Sequence, residues 1–236
     1  MNVHHFADNI LPQKTADCIV NQLRSYLYQG ETLLLLSGGS VARDVYPFLA
    51  QALVKLPQLK NLMVALVDER FGEEDHQQSN MGVVTDSGLT SVIKKYGGKV
   101  VFPLALPDVS KNIYTVATAY NKELKKLFTQ CQYALGILGI GADGHTAGIK
   151  PQLNRETFDT LFPNDLLAVG YVAKDFARIT ITPAALTKLT QIIAYARGQE
   201  KQLIIKRIQS QKSAEVYKYP TLLLKSHLQV DLFTDQ

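Results

Sequence analysis

The sequence predicts an α/β protein of three layers, α/β/α, with helices on both faces of a mostly parallel sheet. Short, wholly aliphatic runs of strand length alternate along the chain with longer segments whose apolar residues recur at helical spacing. Strands that are apolar on both faces belong to a sheet covered on both sides. Several of these runs also end abruptly in glycine, serine or charged residues, at the strand ends where open α/β sheets present their ligand sites.

Leu33–Leu36 is the first aliphatic strand, closed by Ser37-Gly38-Gly39-Ser40. Beyond it Val41, Val45, Phe48, Leu49, Ala52 and Leu53 fall on one helical face, away from Arg43, Asp44 and Gln51, and predict a helix over 41–53. Leu62–Val67 is a second buried run and ends in Asp68-Glu69-Arg70. Val100–Leu104 is a third, weakened by Pro103, which has no N–H to give a ladder. Ser110–Phe128 predicts an amphipathic helix with Ile113, Val116, Ala117, Tyr120, Leu124 and Leu127 along one side. Tyr133–Leu138 is a fourth strand and runs into Gly139-Ile140-Gly141-Ala142-Asp143-Gly144. Leu167–Val172, Ile179–Thr182 and Ile192–Ala196 follow as strands, Gln199–Gln209 as a helix, and Val230–Phe233 as a closing strand. The pattern is that of a Rossmann-like sheet. No repeat, low-complexity tract or Pro/Gly/Ser-rich linker interrupts it, so residues 1–236 are expected to form one domain, with Phe71–Ser79 a polar surface loop.

Composition narrows the function. The 236 residues are 46% hydrophobic and 19% charged, which is ordinary globular usage and excludes disordered, collagen-like and coiled-coil architectures. Lys and Arg number 25 against 21 Asp and Glu, a net charge of +4 that suits an anionic small molecule without the clustered charge of a nucleic-acid binder. Cys18 and Cys131 lack a CxxC spacing or a third partner and are expected to be buried, reduced thiols. Residues 1–10 have no apolar core of a secretory signal, and no apolar run nears the ~18 residues that span a bilayer. The expectation is a soluble, cytoplasmic monomer or homodimer that binds neither nucleic acid nor membrane. No HxH or HExxH spacing occurs, so no metal is expected; His4, His5 and His227 are expected to be solvated.

Three strand ends carry the candidate chemistry, and this architecture brings them to one edge. Ser37-Gly38-Gly39-Ser40 reads either as a tight turn with Ser40 capping the next helix or as a phosphate cradle of backbone N–H groups; no Lys-Ser/Thr follows to make it a Walker loop. Gly139–Gly144 satisfies GxGxxG, but Pro151 follows too soon for the long helix a dinucleotide site needs. His145, beside glycines, has an unperturbed pKa of about 6.5 suited to proton transfer, and Asp143 is placed to orient its ring; a loop histidine beside a capping acid is the alternative. Asp68, Arg70, Arg178 and Lys201 are individually ordinary charges. Together the three cations are what an anionic ligand requires.

Taken in order, Leu35–Ser40, Asp68-Glu69-Arg70 with Ser79-Asn80, Gly139–Ala147, Arg178–Thr182 and Gly198–Lys201 resemble the 6-phosphogluconolactonases. The stretch Asp143-Gly144-His145-Thr146-Ala147 is the most specific part, and the resemblance spans residues 30–235. The resemblance implies the fold that this family shares with glucosamine-6-phosphate deaminase. It also implies hydrolysis of 6-phospho-D-glucono-1,5-lactone in the oxidative pentose phosphate pathway, without a cofactor. Carried over residue by residue, His145 is the general base, Ser37, Gly38, Gly39, Ser40, Arg178 and Lys201 hold the 6-phosphate, Arg70 sits near the reacting carbonyl, and Asp68 and Asp143 are supporting acids. The chain departs from the family pattern GxGxDGHTASLFPG at Ala142 and at Gly148-Ile149-Lys150-Pro151, changes that bear on sugar specificity. Deaminases of the same fold read DEY where Asp68-Glu69-Arg70 stands and carry an acid before the proline where this chain has Lys150. A sugar-phosphate-binding protein without turnover is the alternative outside catalysis.

Overall fold

The computed structural model describes residues 1–72, 79–106, 112–210 and 215–236. In chain order the elements are β1 (Asn2–His5), α1 (Leu11–Gln29), β2 (Thr32–Leu36), α2 (Gly39–Asp44), α3 (Tyr46–Leu53), β3 (Leu62–Leu66) and β4 (Asp68–Arg70). Then follow α4 (Asn80–Asp86), α5 (Leu89–Lys95), β5 (Lys99–Val101), α6 (Ile113–Gln130), β6 (Tyr133–Gly139) and α7 (Arg155–Leu161). The chain ends with β7 (Ala168–Val172), β8 (Ala177–Ile181), α8 (Pro183–Leu186), β9 (Gln191–Ala196), α9 (Gln202–Ser210) and β10 (Val230–Thr234).

Seven strands form a parallel sheet in the order β1-β10-β9-β6-β2-β3-β5. The two-residue period of the strands divides its core between two faces. Leu33, Leu35, Met63 and Ala65 pack with α6, whereas Leu34, Leu36, Leu62, Val64 and Leu66 pack with α1 and α3. That division makes the three layers. Tyr120 of α6 fastens its layer to the end of β3, its hydroxyl donating to the Leu66 carbonyl at 2.5 Å and accepting from the Leu66 N–H at 3.0 Å.

The expected strands at 167–172 and 179–182 lie outside this sheet. They form β7 and β8 of a separate antiparallel sheet, ordered β4-β8-β7. Polar residues on β8 alternate with apolar ones (Arg178 and Thr180 against Ile179 and Ile181), a strand with two chemically different faces. Val67 is the junction of the two sheets, its N–H bonding Leu36 of β2 and its carbonyl accepting from Ile181 of β8.

Other boundaries moved for local reasons. The helix expected over 41–53 is two, because Pro47 in the first turn of α3 cannot donate back into α2. Pro103 ends the third run at Val101 and opens a 3-10 turn. The expected helix over 110–128 runs from Ile113 with Asn112 as its cap, and residues 110 and 111 lie outside the described residues, as do 73–78 of the expected loop. Several elements were not expected: β1, β4, the helices α4, α5, α7 and α8, and the long helix α1, whose buried Leu11, Thr15, Ile19 and Leu23 hold helical spacing. His4, expected in solvent, instead stacks on Phe233 and lies 2.8 Å from Asp231 Oδ1. His227 likewise bonds the Leu189 and Gln229 carbonyls. Cys18 and Cys131 are free and half-buried, and burial pushes both thiols up to about 11. No described helix is long and apolar enough to cross a membrane.

Tyr120→Phe is expected to lose about 1–2 kcal/mol of unfolding free energy by leaving a buried backbone pair without its side-chain partner. Urea titration reads this directly, and an unchanged midpoint would show the hydroxyl to be idle.

Candidate active site

Parallel strands end at one edge, and at that edge the loops after β2, β6 and β9 meet β4, which continues the chain beyond β3, and β8. They enclose a cleft of about 200 Å³. Ser37, Gly38, Gly39, Ser40, Asp68, Arg70, His145, Arg178 and Lys201 all line it. Of the sequence-derived candidates only Asp143 does not, because it stands behind His145. Asn80, Lys150 and Asp175 complete the charged and polar wall.

The loop after β2 is shaped by its neighbours. A Cβ at Gly38 would fall 2.0 Å from Asn80 Oδ1, so only glycine admits Asn80 to the cleft. Gly39 takes a φ of +63°, the left-handed region that glycine occupies at no steric cost. Ser40 does not cap the helix as expected; it lies exposed inside the first turn of α2, where Gly38 is the capping position. Ser37 is buried and accepts from the Gly139 N–H at 3.1 Å, tying two loops together, while Tyr46 donates to its carbonyl at 2.8 Å.

The loop after β6 does not open a helix. Thr146 instead bridges back to Ile140 and on to Ile149, and the Gly141 N–H bonds the His145 carbonyl at 2.9 Å. A dinucleotide fingerprint needs a helix N-terminus there, and this turn has none. The tight turn delivers His145 to Asp143: His145 Nδ1 lies 2.5 Å from Asp143 Oδ1, which also accepts the His145 backbone N–H at 3.1 Å. A Cβ at Gly141 would lie 2.1 Å from His145 Nδ1 and 2.5 Å from Asp143 Oδ1, so this glycine makes room for the pair. Partial burial works against the Asp143 charge. The hydrogen bonds from His145 and the nearby Lys150 outweigh it and hold the carboxyl well below its usual range. Lys150 Nζ is 3.4 Å from both Asp143 Oδ2 and His145 Nδ1.

The opposite wall is β4 against β8. Their register sets Asp68 against Thr180, Glu69 against Ile179 and Arg70 against Arg178. Both guanidinium groups lie over the Phe176 ring, at 5.3 and 5.8 Å from its centroid. Arg178 is held by Asp175 at 2.5 Å and Asp68 at 3.8 Å, and its buried Nε has no hydrogen-bond partner among the described residues. Burial raises the Asp68 carboxyl above its usual range, although Arg178, His145 and Arg70 pull the other way. Lys201 reaches the cleft from the turn after β9, 3.8 Å from its neighbour Glu200. Among the described residues no group of three His, Cys, Asp or Glu is placed to hold a metal ion.

Sequence reasoning missed Glu69. Fully buried, it accepts from the backbone N–H groups of Arg70, Asn80 and Met81 and from the Ser79 hydroxyl, fixing the start of α4 and with it Asn80. Burial pushes its carboxyl up to about 7 despite those donors. Lys150 was visible only as a departure from a family pattern, and Asp175 gave no signal at all.

Two tests follow from this geometry. Gly141→Ala is expected to fold but to push His145 off Asp143, so that the low-field proton NMR resonance of the shared Nδ1–H disappears; its persistence would contradict the steric argument. A buried acid raised from 4.5 to about 7 holds its proton in the folded state after the unfolded state has lost it. Stability from this group is therefore full below pH 4.5 and declines as pH rises toward 7. Relative to Glu69→Gln, the wild type should lose roughly 1–3 kcal/mol between pH 5 and pH 7 in urea titrations, and a flat difference would refute the assignment.

Comparison with known proteins places the chain among relatives of the same build. The family model for glucosamine-6-phosphate isomerases/6-phosphogluconolactonase matches residues 8–232. A 6-phosphogluconolactonase of Xylella fastidiosa is 27% identical over 229 residues, covering 90% of this chain and 88% of its own length. One from Synechocystis is 26% identical over 235 residues, covering 96% and 92%. The crystal structure of a 6-phosphogluconolactonase from Shewanella baltica superposes with a TM-score of 0.81 over 99% of this chain and 97% of that one, and at 22% identity it shows the shared fold. A monomeric glucosamine-6-phosphate deaminase has that fold too, with a TM-score of 0.76 at 14% identity, covering 100% of this chain and 98% of that one. The chain belongs to the glucosamine-6-phosphate isomerases/6-phosphogluconolactonase family.

Proposed function

We propose that the protein hydrolyses 6-phospho-D-glucono-1,5-lactone to 6-phospho-D-gluconate, the lactonase step of the oxidative pentose phosphate pathway, with His145 as general base. One observation carries this reading: the His145–Asp143 pair stands at a cleft whose walls also carry Arg70, Arg178 and Lys201. The curated relatives quoted above bear the 6-phosphogluconolactonase name, and Asp68-Glu69-Arg70 differs from the DEY of the deaminases.

The chemistry needs little more than these groups. Asp143 accepts a hydrogen bond from the Nδ1–H of His145, which leaves the lone pair on Nε2. Nε2 removes a proton from water as the water oxygen attacks C1 of the lactone, and the carbonyl electrons move onto its oxygen. Arg70 stabilises that oxyanion. When the oxyanion collapses, the C1–ring oxygen bond breaks and the departing oxygen takes the proton from Nε2. The new carboxylic acid then ionises at neutral pH. A lactone is an activated ester, so positioning, a base and charge stabilisation suffice. The loop Ser37–Ser40 with Arg178 and Lys201 holds the 6-phosphate, and the buried Asp68 sets the orientation of Arg178. Residues 1–236 act as one unit, a cytoplasmic enzyme on this reading, because the cleft draws on residues 37 to 201.

Turnover of freshly generated lactone, corrected for spontaneous hydrolysis, tests the reading. His145→Ala is expected to lose ~10²–10⁴-fold in kcat, about 3–5 kcal/mol of transition-state stabilisation. No acceleration by the folded wild type would end the lactonase reading, and ammonia release from glucosamine 6-phosphate would move the protein to the deaminases. A fully active His145→Ala would remove only the base.

A further inference from the structure

Asp175 has a place in the cleft that the lactonase reading does not account for. It lies in the turn between β7 and β8, and its Oδ2 is 2.5 Å from Arg178 Nη2 and 3.6 Å from Lys150 Nζ. Both cations line the cleft, and Asp175 lines it with them. The arrangement is two cations converging on one oxyanion, and the oxyanion is the protein's own.

The surroundings of Arg178 single out Asp175 as the group able to leave. Its Nη1 faces Asp68, whose side chain is 10% exposed, and the Arg178 side chain is only 5% exposed. Asp175 is 43% exposed on a turn and departs by rotating its side chain into water. Partial burial works against its charge, but the Arg178 hydrogen bond and the Phe176 N–H overcome this and hold the carboxyl down at about 2, so it is an anion at neutral pH.

Resting on the reading of the cleft as a sugar-phosphate site, we propose that Asp175 is a resident counter-ion which the phosphate of an incoming ligand displaces from Arg178, making it a specificity-determining residue, while Lys150 stays beside Asp143 and His145. A phosphate dianion brings more charge and more acceptor oxygens than one carboxylate, so it wins the exchange. A sugar without the phosphate has nothing to offer Arg178 and leaves Asp175 in place. Arg178 does not need Asp175 for its orientation, because Asp68, the Phe176 ring and its own burial remain. Lys150 likewise keeps Asp143 at 3.4 Å. Neutralising Asp175 therefore leaves two placed cations and one less competing anion.

Equilibrium binding of inorganic phosphate, and separately of 6-phosphogluconate, to wild type, Asp175→Asn and Asp175→Ala at low ionic strength tests this. Both variants are expected to bind each ligand about two- to fivefold more tightly than wild type, the size of one partly exposed ion pair. Unchanged or weaker phosphate affinity in either variant, as a positioning role for Asp175 would give, overturns the proposal. So does the absence of phosphate binding in all three proteins. The readout requires no turnover, so an inactive wild type would strike the proposed reaction and leave the displacement to be judged on phosphate affinity alone.

Discussion

Arg70 and Arg178 stand directly opposite each other where β4 pairs with β8, a register that places two positive side chains where like charges repel. Much of the cleft follows from this opposition. β4 continues the chain of β3 beyond Val67, so the parallel sheet sets the position of Arg70, while β8, its partner in the antiparallel sheet, brings Arg178 from far along the chain. The same pairing carries Thr180, whose hydroxyl accepts the Gly148 N–H at 3.0 Å and so holds the far end of the loop that bears His145. A shift of one residue between β4 and β8 would separate the two guanidinium groups and release that loop together.

The repulsion is managed by two kinds of neighbour. Asp68 and the Phe176 ring are fixed, and they orient the cations at all times. Asp175 is half-exposed and exchangeable. Glu69 belongs to the first kind at one remove, since it anchors Asn80 and the start of α4 through buried hydrogen bonds. A net charge of +4 spread over 236 residues says little by itself. Its meaning lies in the placement of Arg70, Arg178, Lys150 and Lys201 on one cleft.

What the sequence made legible was whatever depends on short-range pattern. The wholly aliphatic runs at Leu33–Leu36 and Leu62–Val67 identified central strands, because a strand buried on both faces has no room for polar residues. The strand ends at Ser37, Asp68 and Gly139 pointed to one edge for the same reason of topology. β7 and β8 were legible as strands but not as a second sheet, since nothing local marks Val67 as the junction. β1 is an edge strand held by pairing with β10 at the other end of the chain, which no local window contains. Helix α1 is different, because its buried positions Leu11, Thr15, Ile19 and Leu23 carry a helical period within the local sequence. Lys150, Asp175 and Glu69 owe their importance to contacts that form only after folding: Lys150 through residues up to 25 positions away, and Glu69 through the start of α4.

On the proposed function, the cleft orients a phosphorylated sugar with its phosphate on the Arg178–Lys201 side and its C1 end at His145. A crystal structure of the protein with 6-phosphogluconate measures this most directly. The expected result is a phosphate in contact with Arg178 and the loop 37–40, with Asp175 turned away from Arg178 and the C1 carboxylate within hydrogen-bonding reach of His145 Nε2. A ligand bound in the reverse sense, with its phosphate at His145, or one bound outside the cleft, would contradict it.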